Sequence, residues 1–588
     1  MDYFLTEVSF EAGNKVGGIW TVLTSKSSKI KDTFGTDYLA IGFYNPTQAA
    51  IEFIESDPPD LIKDALAAVK LEGVEFHFGR WVSANDVNLL LIDSSSFKDM
   101  HVNDIKKSFW EKFGIDSLNA PDDYNTPLAW SYVAGAVVAS LSNKLNKKIV
   151  CQVHEWLSGG TVLYLKSNGI KVPTVFTVHA TVLGRAMANA GIDTLEFVNS
   201  NTTIDQSLAY KYWVAAKHLT EKASAKESNV FTAVSDIVAK EAELILERKA
   251  DVITLNGLDK DDLPDVDGLT EMRSSALTKF YNFITSYFLP YYDFSPKSVP
   301  IFFTSGRYEF FNKGFDLFID ALGKLDKMMP ENKSVIAMIT VPAGTVGLKN
   351  EVVANYITYM SIKSSLDADL KNFDRVVSSY DFTSQTSLEK VYSKIVNDSR
   401  MVITQLRRPK PTFPPLCPFR LSYPEETDSI INKLQDNGLI NAPSNHVKVI
   451  FYPKYLTVGE ELLNLTYNEL IAVSTAGFFL SRYEPFGYTP IEAAAFLSIP
   501  FTTDHSGFGV CLHNLKLAEN GVFVEGLLNV ERESAVNNIA DDMLRLVTMD
   551  DDNILDLKLK AREVAEVFDW EHLISTYFRA YETALGKV

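Results

Sequence analysis

The chain has 588 residues, 46% hydrophobic and 22% charged, with a formal net charge of -19. That length is too great for one hydrophobic core and predicts two large domains. So acidic a surface repels phosphate backbones and anionic lipid, so neither nucleic acid nor a membrane is an expected partner. Cys151, Cys417 and Cys511 are scattered without metal-ligand spacing, which suits a reducing, cytoplasmic compartment. The start, MDYFLTEVSFEAG, carries acids where a secretory leader needs a basic region. The longest apolar run, SYVAGAVVASL, is too short for a bilayer, which takes roughly 20 residues.

In chain order, short apolar runs alternate with longer helical patterns. KKIVCQVHEW, VPTVFTVHAT, SNVFTAVS and ADVITLNG belong to a first series, from Phe4 to about Leu258. VPIFFTSGR, SVIAMITVPAG, HVKVIFYPKYL and AGFFLSRYEP belong to a second, from Val299 to near Phe523. Continuous Val/Ile/Phe runs joined by helical crossovers read as buried parallel strands. The predicted class is α/β, with two Rossmann-like doubly wound domains facing across a cleft. The N-terminal one spans 1–275; 276–297 is an interdomain crossing containing SYFLPYYDFSP; the C-terminal one spans 298–565. A charged helical insertion over about 346–446 interrupts the second domain and is a candidate oligomer contact. The segment 566–588 is expected to be a helix packing back toward the first domain.

Ligands of such sheets bind beyond the carboxyl ends of the strands. Asn14-Lys15-Val16-Gly17-Gly18 falls between a strand-like and a helical run, where paired glycines and free amides suit a phosphate; a plain turn has the same look. His154-Glu155 and His179 with Arg185 close neighbouring strand-like runs. Each histidine alone could be a core residue; two at equivalent ends favour a site. Arg307 and Lys313, in FFTSGRYEFFNKG, supply the basic pocket that a nucleotide substrate needs in an acidic protein. Thr489-Pro490-Ile491-Glu492 has the form of a capping box, so a helix is predicted from Pro490, behind the loop bearing Glu484. The Asp265/Asp267 and Asp367/Asp369 pairs lie away from strand ends, and no catalytic metal or other cofactor is expected.

Together NKVGGIW, HEW, FTVHATVLGR, FTAVSDIVAKEAE, ITLNGLD, SGRYEFFNKGFDLF, VIFYPKYL and YEPFGYTPIEA resemble the animal and fungal type of glycogen synthase, family GT3. The resemblance implies the GT-B fold and retaining transfer of glucose from UDP-glucose to the non-reducing end of an α-1,4-glucan such as glycogen. It further implies that Arg307 and Lys313 hold the diphosphate and that Tyr467 stacks on uracil. Glu492 would bind ribose, the backbone of Gly487, Tyr488 and Thr489 would cradle the distal phosphate, and Phe486 would belong to the same donor-binding set. Glu484 would orient glucose, with Lys15, Gly17 and Gly18 on the opposite lip. His179 and Arg185 would line the donor pocket, with Glu155, His154 and Asn256 on the acceptor side. A homo-oligomer, a tetramer if the insertion mediates it, is also implied. Two departures stand out. The family's PPxxTHN appears as Pro414-Pro415-Leu416-Cys417-Pro418-Phe419-Arg420. The arginine-rich helix before Asp569-Trp570 keeps only Lys558, Lys560 and Arg562, so control by glucose 6-phosphate is expected to be lost or weak. A GT-B enzyme using ADP-glucose and a non-catalytic glucan-binding scaffold are the alternatives.

Overall fold

A computed structural model describes residues 1–378, 412–460 and 462–588, with isolated positions between 379 and 411. The first sheet contains β1 (Tyr3–Val8), β2 (Tyr38–Phe43), β3 (Phe53–Glu55), β4 (Glu75–Trp81), β5 (Val87–Asp93), β6 (Lys148–His154), β7 (Thr174–Val178), β8 (Val230–Ala233) and β9 (Val252–Ile253). Its order is β3-β4-β5-β2-β1-β6-β7-β8-β9. From β5 to β9 all neighbours are parallel, and β3 and β4 form an antiparallel edge. Every residue of β1 and β7 is buried, which is why they read as unbroken apolar runs.

The second sheet contains β10 (Ile301–Ser305), β11 (Val335–Thr340), β14 (Val447–Phe451), β15 (Ala476–Phe478), β16 (Ile499–Thr503) and β17 (Phe523–Glu525), all parallel, in the order β14-β11-β10-β15-β16-β17. Between β11 and β14, a short antiparallel pair, β12 (Thr345–Leu348) with β13 (Phe419–Leu421), flanks the long helix Asn350–Ser378. Of the rest of the expected insertion, 379–411 lies largely outside the described residues, while 412–446 carries β13 and the short helix Ser429–Asp436.

The strand orders fix where ligands can bind. The chain leaves β1 toward β2 on one side and returns with β6 on the other; β10 is flanked in the same way by β11 and β15. Each reversal opens a crevice at the carboxyl ends of the strands. The residues just after β1 and β6 include Lys15, Gly17, Gly18 and Glu155; those after β10 and β15 include Arg307, Lys313 and Glu484.

One helix, Val266–Phe288, runs straight through position 275, so the crossing starts in a helix capped by Asp265, which accepts from Gly268 N–H at 2.8 Å. The helix expected over 566–588 is Trp570–Gly586, separated at Phe568–Asp569 from a preceding helix, Asp551–Val567. The former buries Trp570, Tyr577 and Tyr581 in a core otherwise made of N-terminal-domain residues, among them Tyr3, Leu5, Ile19 and Tyr38. The Pro414–Arg420 stretch is packed as support: the Pro415 carbonyl accepts from Tyr287 Oη at 2.6 Å, and Cys417 is buried.

The domains also touch along one rim of the cleft. Tyr483 Oη donates to Glu241 Oε1 at 3.1 Å, Ser235 Oγ to the Pro485 carbonyl at 2.5 Å, and Asn312 Nδ2 to Asn189 Oδ1 at 2.7 Å. His505 Nε2 meets Asp193 Oδ2 of the first domain at 2.9 Å, while its Nδ1 meets Asp504 Oδ1 at 2.7 Å. Burial by itself would push this imidazole down, but its hydrogen bonds to Asp193 and Asp504, and their charges, raise it to about 9. A raised histidine stabilises the fold fully below its unfolded value of about 6.5, and the contribution fades as pH climbs through about 9. The Tm gap between wild type and His505→Gln should therefore be widest near pH 6 and close by pH 10. A gap that grows with pH would mean that a neutral imidazole makes this bridge.

Candidate active site

On the N-terminal lip, β1 leads to Glu11, whose Oε2 accepts from Gly17 N–H at 2.8 Å and Trp20 N–H at 2.9 Å. This carboxylate caps the helix Gly18–Ser25, satisfying the positive end of its dipole. The expectation of a free phosphate-binding amide at Gly17 is thereby corrected: a carboxylate six residues upstream occupies it. At Gly18 a Cβ would meet nothing within 4 Å, so that glycine keeps the lip open. Lys15 is exposed, its Nζ 4.2 Å from the centre of the Trp20 ring.

The loop after β7 is held by three buried glutamates from three helices. Glu155 Oε1 accepts from the N–H groups of His179 and Ala180 at 2.9 and 3.0 Å. Glu241 Oε1 accepts from Thr181 N–H, and Glu221 Oε2 from Val182 N–H. Four successive amides are pinned from behind, leaving His179 and Arg185 to face forward. Glu155 has φ 64, in the left-handed region that a non-glycine residue seldom adopts. Desolvation lifts its carboxyl to about 7 against the pull of Arg185 and the two backbone donors. Its carboxylate is therefore committed to the His179 loop and is not free on the acceptor side. His154 is also corrected: it is buried behind His179, its Nδ1 2.9 Å from His179 Nε2. Asn256 is buried next to Gly257, which packs against the Phe568 carbonyl and Trp570, so it stands at the C-terminal crossing.

On the facing lip, β10 ends at Ser305 and Arg307 follows, exposed and paired with Glu309 at 2.9 Å. Lys313 Nζ donates to Glu484 Oε2 at 2.5 Å, with about a fifth of each side chain exposed (17% and 21%). Gly314 is obligatory between them: φ is 67, and a Cβ would stand 1.9 Å from the Leu480 carbonyl oxygen. The cations predicted to flank a helix start do so, at Phe315–Met328, but each has its own carboxylate partner.

The other helix start differs from expectation. It begins at Tyr488, with Gly487 at the cap (φ 112) and no side-chain cap, so Thr489 and Glu492 form no capping box. The real box is at Thr466 and Glu469, opening the helix Tyr467–Val473. The cause is local: only glycine adopts this turn easily, and it lets the amides of Tyr488 and Thr489 face the loop. Glu492, freed from capping, is half-buried and its carboxyl group makes no hydrogen bond among the described residues; desolvation raises that carboxyl to about 7, opposed by Lys15 across the cleft. Tyr467, beside it, bonds Ser305 Oγ through its hydroxyl at 2.9 Å. Phe486 is buried against Phe508 and Phe568, and Tyr488 packs against the N-terminal-domain core.

The charges of the two lips meet. Arg185 feels Tyr483, Glu155, Glu309 and Glu484, and Glu11 feels Arg185 and Arg307. Glu7, Glu11, Glu221, Glu241 and Glu309 went unread in the sequence; among them only Glu11, three residues past a strand end, carried a signal. Among the described residues no group of three His, Cys, Asp or Glu could hold a metal ion, and no helix is long and apolar enough to cross a membrane.

The model of the glycogen synthase family matches residues 7–588. The chain belongs to that family. It is 29% identical over 599 residues to the glycogen [starch] synthase of Neurospora crassa, covering all of this chain and 84% of that protein. With the mouse liver glycogen [starch] synthase it shares 28% over 600 residues, covering 100% and 84%. In fold it is similar to the starch synthase IV catalytic domain of Arabidopsis thaliana bound to ADP and acarbose (TM-score 0.55, 14% identity, full coverage of both chains). A sucrose-phosphate synthase from Thermosynechococcus elongatus has TM-score 0.50 at 12% identity, again over both full chains. The fold is GT-B, two Rossmann-like domains around a cleft, as the motifs of the family led us to expect.

Proposed function

We propose that this protein transfers glucose from UDP-glucose to the non-reducing end of an α-1,4-glucan, glycogen by preference, releasing UDP with retention at the anomeric carbon. One observation carries the reading: the crevice at β10/β15 gathers two cations, a glycine-capped helix start and an unsatisfied carboxylate in one place. Arg307 and Lys313 stabilise the departing diphosphate by charge, together with the amides of Tyr488 and Thr489. Tyr467 stacks on the base and Glu492 takes the ribose hydroxyls. Phe486 and Gly487 shape that turn, and Lys15 and Gly18 close the pocket from the other lip.

Glu484 orients the glucose through its hydroxyls. Its pairing with Lys313 supports this role over that of a nucleophile, because the cation quenches its attack. The acceptor's proton then passes to the leaving phosphate on the same face. His179 and Arg185 line the sugar site. We place the enzyme in the cytoplasm, as a homo-oligomer joined through the Asn350–Ser378 helix, working without a metal.

Regulation by a sugar phosphate finds no support in helix Asp551–Val567. Lys558 is buried on the Ser474 carbonyl, Arg562 is spent on the Ala495 and Pro264 carbonyls, and Lys560 pairs with Asp556.

The test is UDP release from UDP-glucose and glycogen, with and without EDTA. Activity should be present and unchanged by EDTA. Full loss restored by Mg²⁺ or Mn²⁺ would overturn charge neutralisation by protein groups. Faster turnover of ADP-glucose would transfer the chain to the other donor, and no turnover of either would favour a scaffold.

A further inference from the structure

Behind the sugar site lies a buried chain of side chains that the transfer reaction as described does not use. It starts at Glu7 in β1, 1% exposed, whose carboxylate takes three donors. Lys26 Nζ donates to Oε1, Tyr38 Oη donates to Oε2 at 2.7 Å, and His154 Nε2 lies 2.8 Å from Oε1. His154 Nδ1 in turn lies 2.9 Å from Nε2 of His179. The residues come from β1, β2, the helix Ser27–Phe34 and its cap, β6 and the end of β7. Lys26 is covered from the far side by the Tyr577 ring, 4.5 Å away.

With both imidazoles neutral, the geometry allows one placement of protons. Although burial opposes its charge, Glu7 is held ionised, at about 2, by Lys26 and by His154. An ionised carboxylate only accepts, so the proton between it and His154 is on His154 Nε2. Burial keeps both imidazoles neutral, pushing His154 down and His179 well below its usual value, with Lys26 adding to both. A neutral imidazole with its proton on Nε2 has a bare Nδ1, so His154 accepts from His179 and the second proton is on His179 Nε2. His179 Nδ1 is then bare as well. Among the described residues no hydrogen bond reaches it, and His179 as a residue keeps 8% of its surface exposed just past the carboxyl end of β7.

We propose that Glu7 and His154 are positioning residues that lock His179 as the tautomer with a bare Nδ1, so that the sugar site is offered a hydrogen-bond acceptor for a donor-glucose hydroxyl. The assignment rests on the proposed transfer reaction only in naming the ligand. The neighbouring Arg185 and Lys313 are donors only, and the pocket therefore needs acceptors to read hydroxyls by direction; Glu484 is one and His179 is a second. An imidazole free to exchange tautomers would offer a donor part of the time and bind the hydroxyl less well. Glu155, which grips His179 by its N–H, fixes the backbone while Glu7 fixes the ring.

The full-length enzyme, labelled with ¹⁵N at both histidine ring nitrogens and assigned with a His179→Gln control, gives the test. In the absence of substrate, His179 Nδ1 should resonate as an unprotonated nitrogen and Nε2 as a protonated one. A protonated Nδ1, or two averaged signals, overturns the proposal. His154→Phe removes the acceptor. It should average the two His179 signals and lower kcat/KM for UDP-glucose by roughly 10–100-fold, the range for groups that orient a functional histidine. His154→Gln restores both links, since one carboxamide can donate to Glu7 and accept from His179, and should regain most of the loss. Wild-type kinetics in His154→Phe, or equal loss in both variants at equal thermal stability, would also overturn it. The nitrogen spectrum needs no substrate, so an enzyme inert toward UDP-glucose but showing the expected signals would sink the transfer reaction alone.

Discussion

Lys313→Ala should lower turnover with UDP-glucose by roughly 10²–10³-fold, the scale for losing one preorganised charge at a developing anion. Two losses add in this variant. On the proposed function the charge facing the leaving diphosphate disappears, and Glu484, 2.5 Å away, loses its ion-pair partner. Arg307→Ala should lose a similar factor by a simpler route, because Arg307 is 65% exposed and, among the described residues, its guanidinium pairs with Glu309 alone. The difference is visible in stability: Arg307→Ala should unfold with the wild type, whereas Lys313→Ala should shift modestly. The check is UDP release at saturating donor, alongside a thermal scan. Near-wild-type turnover in both variants would remove the leaving-group assignment.

Lys26→Met should be the most destabilising of the changes considered, by about 3–5 kcal/mol, the range for breaking a buried ion pair. For a domain of this size that is on the order of 10 °C in Tm. Lys26 and Glu7 are 0% and 1% exposed, so no water replaces the missing cation. Glu7 would keep His154 and Tyr38 as donors but would carry an uncompensated charge. The double variant Lys26→Met with Glu7→Gln removes both charges and should regain a good part of the loss. A single variant as stable as the wild type would show that the pair contributes nothing net, and a double variant worse than the single would point to packing.

The part of this molecule that sequence reveals is the part encoded locally. The strands after which the site residues fall are contiguous buried runs, so β1, β6, β7, β10 and β15 could be placed from their Val, Ile and Phe content. Arg307, Lys313 and Glu484 could be placed because they follow such runs. What stayed hidden is encoded by distance. Glu7 and His154 are 147 positions apart, and Glu155, Glu221 and Glu241 meet on one loop from three separate helices. His154 and Glu155 stand at a strand end that the sequence marks, but nothing nearby names their partners, and Glu221 and Glu241 are lone acids in helices, which usually face water. The misplaced helix start at Pro490 failed for another reason. The Thr-x-x-Glu pattern is satisfied on paper at Thr489 and at Thr466 alike, and only the backbone turn at Gly487 decides which one caps.

The helix Trp570–Gly586 completes a core whose other fully buried members lie before position 253. During synthesis at about 5–20 residues per second, the first domain therefore waits on the order of 20–60 s for its missing wall. In that interval the face formed by Tyr3, Ile30 and Val150 is left uncovered, and the Lys26–Glu7 pair has no Tyr577 ring over it. The second domain can emerge and fold meanwhile. On the ribosome, closure of the first domain is thus the final event, and a nascent chain stalled before residue 570 holds a finished sugar-nucleotide half attached to an unfinished partner.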